Sequence, residues 1–219
     1  MNYYTPGHKY FRKALFQFEQ FIATTDFNNT EQRQKVHEEL DELTFYLRET
    51  AKFEIENCHP LLNDKEPFII AQIEAGYKVA ENKETQIRNI LGPKLGHEKR
   101  SRFSPEDEFN IYLACVEFID TYRQLFSFKE KNLVPVLPKH NADKALRALA
   151  LQARSQMSLE QMQDNIVERI MPCLNFLDKI EIIKDIKAGA SDEMFDDVWK
   201  MIAEQFKPHQ RTLILENLK

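Results

Sequence analysis

A chain of 219 residues, 42% hydrophobic and 30% charged, is long enough to bury a sizeable core and too apolar to be disordered. Only five glycines argue against tight hairpins and glycine-rich phosphate loops and for helices, and a net charge of −5 removes the basic footprint that nucleic-acid binding needs. Cys58, Cys115 and Cys173 are too far apart for a Cys-x-x-Cys site, and there is neither a signal-peptide pattern nor an apolar run long enough to span a bilayer, so a soluble cytoplasmic protein with no membrane partner is expected.

The first helix is predicted from about Gly7 to Thr24, where Phe11, Leu15, Phe18 and Ile22 recur at helical spacing and, one turn back, the stripe reaches His8. Thr30 is the expected cap of a second helix whose stripe runs Leu40, Leu43, Leu47, Thr50, Glu54 and Cys58 and ends near Pro60. Asp64 can cap a third, with Pro67 in its first turn, the stripe Ile70, Ile73, Tyr77, Ala80, Glu84, Ile87 and Leu91, and a stop at Gly92. Residues 93 to 103 read as a basic loop. Ser104, Pro105 and Asp107 then form a strong start for a fourth helix carrying Ile111, Ala114, Phe118, Leu125, Lys129 and Leu133. Shorter helices follow Pro138: one from about Asn141, one capped by Ser158 and Gln161, one over Leu174 to Gly189, one after Ser191 and one after Pro208. Met194, Phe195, Val198, Ile202 and Phe206 make an apolar face that should pack back on the preceding helices.

Four long helices on short connections predict an all-α, up-down-up-down four-helix bundle over residues 1–138, followed by a helical extension over 139–219. Each long helix places a polar residue on its inward seam: His8, Thr50 and Glu54, Glu84, Lys129. Buried charges are costly unless paired or liganded, and bundle interiors are where inward His and Glu side chains build metal sites.

The segments GHKYFRKAL around His8, TAKFEIENCHPLL around Glu54, KETQIRNIL around Glu84 and FIDTYRQLFSFKEKNLVPVL before Pro135 resemble the four helices of the hemerythrin-like cation-binding (HHE) family. The resemblance covers roughly residues 3 to 138, and the tail is similar to extra helices that follow the bundle in some members. It implies a non-haem di-iron centre held by a His on helix one, a His-x-x-x-Glu on helix two, a His on helix three and a second His-x-x-x-Glu on helix four. In this sequence those ligands fall on His8, Thr50, Glu54, Glu84, Leu125 and Lys129. Only His8 and Glu54 keep the family's residues, and Lys129 brings a positive charge where a metal would sit.

The expectation is therefore a degenerate, metal-free member of the hemerythrin-like family with no catalytic residues and no cofactor, acting through an unknown protein partner or a small apolar ligand. Lys129 would be the counter-ion of both Glu54 and Glu84, with His8 completing the cluster. An alternative holds one iron or other divalent ion through His8, Glu54 and Glu84. A third reading makes a pocket of the vacated interior, closed by Tyr77, Tyr122 and Leu125. The remaining histidines, His37, His59, His97, His140 and His209, are expected at the surface. No HExxH, nucleophile elbow, phosphate loop or dinucleotide fingerprint is present.

Overall fold

The computed structural model describes residues 4–92, 102–140 and 142–218, so nearly all of the basic loop read in the sequence lies outside the described residues. Among them the chain is helical throughout, with no strand. The four long helices are α1 (Thr5–Ala23), α2 (Thr30–Phe53), α3 (Pro67–Leu91) and α4 (Pro105–Phe128). After them come α5 (Ala142–Ser155), α6 (Leu159–Met162), α7 (Phe176–Gly189), α8 (Asp192–Ala203) and α9 (Pro208–Asn217). No described helix is long and apolar enough to cross a membrane.

The helix ends follow local chemistry. Ser104 and Asp107 form a reciprocal capping box with Pro105 at the first helical position, and Ser158 forms another with Gln161. Gly92 stops α3 with a φ of 73°, a backbone conformation that a side chain would strain. Two expected caps move. Asn29, not Thr30, accepts from the Glu31 and Gln32 amides at the start of α2, because its side chain stands one residue before the first helical turn. Asp64 does not cap α3, which starts at Pro67 behind Glu66 with no side-chain cap; proline at the first position needs no partner for its missing N–H.

The chain divides into two compact units, Phe11–Val136 and a second comprising Leu137–Lys219 with Met1–Tyr10. The grouping of the first ten residues with the tail differs from the predicted 1–138 bundle, and it has a visible cause: Tyr4 and His8 are buried, and Lys9 forms an ion pair with Asp178 on α7. In the Phe11–Val136 unit the predicted stripes are the core, including Leu15, Leu40, Ile73 and Phe118, each fully shielded from solvent and each stabilising by about 1.5–3 kcal/mol relative to exposure. Helices α3 and α4 lie along one another. Ion pairs Arg123–Glu19 at 2.6 Å and Arg88–Asp41 at 2.6 Å tie α4 to α1 and α3 to α2.

In the second unit Phe195, Val198, Ile202 and Phe206 are buried. They close a core with Met162, Ile166, Met171, Ile183, Ile186 and Ile214 from the tail itself. Each short helix is too short to be stable alone and is held by the apolar faces of its neighbours.

Candidate functional site

Helices α2 and α4 end in the same way. Helix α2 passes into a π-helical turn, Glu54–Cys58, and a 3₁₀ turn, His59–Leu61; α4 passes into a π-helical turn, Lys129–Leu133, and a 3₁₀ turn, Val134–Val136. Pro60 and Pro135 have no N–H to return to the carbonyl four residues earlier, and their rings crowd it, so the backbone widens just ahead of them. The His59 N–H donates to the Glu54 carbonyl and the Val134 N–H to the Lys129 carbonyl, each spanning five residues. Asn57 and Asn132 each donate a side-chain amide to the carbonyl four residues back, Phe53 and Phe128. The two inward charges, Glu54 and Lys129, thus open two equivalent turns.

They meet. Lys129 Nζ lies 2.8 Å from Glu54 Oε2 and 2.9 Å from Oε1, and both side chains are about 1% exposed as residues. Tyr77 of α3 is the third member: its hydroxyl donates to Glu54 Oε2 at 2.6 Å and accepts from Lys129 Nζ at 2.6 Å. The ammonium also stands 4.7 Å from the centre of the Tyr77 ring and 5.8 Å from that of Phe126, where ring quadrupoles favour a cation. Burial first, and the Glu54 carboxylate second, push the Tyr77 hydroxyl well above its ordinary value, so it stays protonated and able to donate. A buried acid and a buried base are thereby matched and hydrogen-bonded, the condition under which such a pair is tolerated in a core.

Glu84 belongs to a different group, which corrects the expected Lys129–Glu84 pairing. Its Oε1 accepts from Arg88 Nε at 2.8 Å, one turn on along α3, and lies 3.3 Å from Arg48 of α2. Arg88 also donates to Asp41 and to Thr44, and Arg48 to Thr44, so two guanidinium groups rooted nearer the solvent neutralise Glu84. The reach of a long Arg side chain at i+4 decides this, and apolar periodicity cannot see it. Leu125 is buried and packs so closely on Gly76 of α3 that a Cβ there would stand 2.9 Å from its Cδ1. Thr50 is half-buried. His8 is buried in the other unit, its ring 5.4 Å from that of Tyr4.

Two histidines contradict the surface expectation. His37 lies on the buried face of α2 beside Val36 and Leu40, and His59 is tucked inward by its 3₁₀ turn, with Nδ1 2.9 Å from Glu74. His140 is half-buried and His209 exposed; His97 lies outside the described residues. Among the described residues no group of three or more His, Cys, Asp or Glu side chains could hold a metal ion.

Beside the Lys129 cluster a cleft of about 290 Å³ opens between α2, α3 and α4, lined by Arg48, Lys52, Tyr77, Glu81, Glu84 and Tyr122 among others. It contains two of the three residues expected to close a pocket; Leu125 is turned to Gly76 instead. Sequence reasoning placed Tyr77 on the seam but missed it as the bridge between the two charges, and it missed Arg48 and Arg88 altogether. The signal available for Tyr77 was a phenol on the inward stripe of α3, two turns from Glu84. No family model, no curated protein and no solved structure matches the chain.

Proposed function

We propose that the Phe11–Val136 unit is a hemerythrin-like, up-down-up-down four-helix bundle in which a salt-bridged cluster stands where the family holds its di-iron centre. The protein then serves as a cytoplasmic interaction or small-ligand-binding protein, not in oxygen chemistry. The observation that carries the reading is Lys129 Nζ, 2.8 Å from Glu54 and almost fully shielded from solvent. An ammonium at that position spends both oxygens of the one carboxylate that the resemblance retains, and it repels a divalent cation. The Tyr77 and Tyr122 cleft beside it supplies a concave surface with an apolar floor between charged side chains, a form that can take a small ligand.

Metal analysis of the intact chain, purified without chelator, is the direct test. Iron, manganese and zinc far below one per chain are expected. Stoichiometric metal that is lost in His8→Ala and in Glu54→Gln would instead favour the one-histidine, two-carboxylate alternative and end the metal-free reading.

A further inference from the structure

The charges around the cleft are unevenly spent. Arg48, Arg88, Glu84 and Asp41 neutralise one another at its inner end. Lys52, on the α2 wall, and Glu81, on the α3 wall, are both exposed, and among the described residues neither side chain has an ion-pair or hydrogen-bond partner. Between them lies an apolar floor of Ala51, Ile55 and the two tyrosines. Tyr122 is only 6% exposed, yet among the described residues no group bonds its hydroxyl. The hydroxyl itself reaches the water of the cleft, where a ligand atom can take up its hydrogen bond.

A purely cationic ligand would meet Lys52, and a purely anionic one would meet Glu81 and also Glu56, in the π-helical turn that follows α2. A molecule carrying both charges satisfies both walls. The volume of about 290 Å³ corresponds to roughly ten water-sized groups, the scale of a small amino acid.

We infer that this cleft binds a zwitterion, a free α-amino acid with an apolar side chain of about leucine size. Its carboxylate lies toward Lys52, its ammonium toward Glu81, and its side chain on the tyrosine rings. This rests on the small-ligand reading above and names the ligand class within it.

Calorimetric titration of the full chain with L-leucine, 3-methylbutylamine and 4-methylpentanoate tests it, since the three share a body and differ only in charge. Leucine should bind at least about tenfold more tightly than either analogue, the scale of one charge-assisted contact at a partly exposed site. Lys52→Gln should weaken leucine by about tenfold and leave the amine no weaker, and Glu81→Gln should weaken leucine similarly and leave the carboxylate analogue no weaker. Analogues that bind as tightly as leucine, with Tyr122 resonances shifting, would overturn the zwitterion inference and leave the small-ligand reading standing. No heat and no shift of Tyr122 with any of the three would overturn both.

Discussion

At Lys129 the chemistry is decided by what its removal would strand. Its ammonium is the counter-charge of a Glu54 carboxylate that is shielded almost completely, and Tyr77 can supply Glu54 with a hydrogen bond but no charge. In Lys129→Met the cheapest escape is for Glu54 to take up a proton. Protonating a carboxyl of ordinary value near 4.3 at pH 7 costs about 4 kcal/mol, which falls within the roughly 3–5 kcal/mol typical of breaking a buried pair. Lys129→Met is therefore expected to lose that much stability in urea denaturation at pH 7. Tyr77→Phe keeps the ion pair and deletes one bridging hydroxyl, so a smaller cost of about 1–2 kcal/mol is expected. A loss below about 0.5 kcal/mol for Lys129→Met would mean the ammonium reaches solvent.

Helix boundaries were the most legible part of the sequence, and α4 shows why. Ser104 Oγ accepts from the Asp107 amide at 3.1 Å while Asp107 Oδ2 accepts from the Ser104 amide at 2.9 Å, a local pattern that needs no tertiary partner. Ser104→Ala should cost about 1 kcal/mol and Ser104→Gly only a few tenths, measured as shifts in the denaturation midpoint. Inward faces were legible for the same reason: Leu15, Leu40, Ile73 and Phe118 repeat at the helical period and are buried. Partner choice was not. Glu84 and Lys129 share the inward side of neighbouring helices, and periodicity cannot tell that Arg88 reaches Glu84 first. The paired π-helical turns were readable only in part: Phe53, Asn57 and Pro60 match Phe128, Asn132 and Pro135 at one constant offset, but proline alone marks a helix end and does not say that the turn before it widens.

The two units divide the titratable burial unequally, and this gives the whole molecule an alkaline limit. The apolar core built by the tail of the Leu137–Lys219 unit is Met, Ile, Val, Leu and Phe, none of which titrates, and beside it the only titratable residues that unit buries among the described residues of its first segment are Tyr4 and His8. The Phe11–Val136 unit encloses Cys115, whose thiol burial pushes up to about 12, together with Tyr77 and Tyr122, whose hydroxyls burial also raises. Each of these groups is neutral when protonated and has its folded value above its unfolded one. Their contribution is therefore fully present below the unfolded values of 9.0 for the thiol and 10.0 for the phenols, and is lost as pH rises toward the folded values. For Cys115 the interval of about three units is worth no more than about 4 kcal/mol. The urea midpoint should hold level up to about pH 9 and then fall, and the fall should be shallower in Cys115→Ala, which removes one of the three groups. The single Trp199 packs against the core of the other unit and reports that unit by fluorescence, while the phenolate absorbance lost in Tyr77→Phe and in Tyr122→Phe isolates those two hydroxyls among the seven tyrosines. A midpoint that is level through pH 11, with the phenolate absorbance of all seven tyrosines complete about the ordinary value near 10, would mean that the Cys115 thiol and the two hydroxyls reach water in the native state.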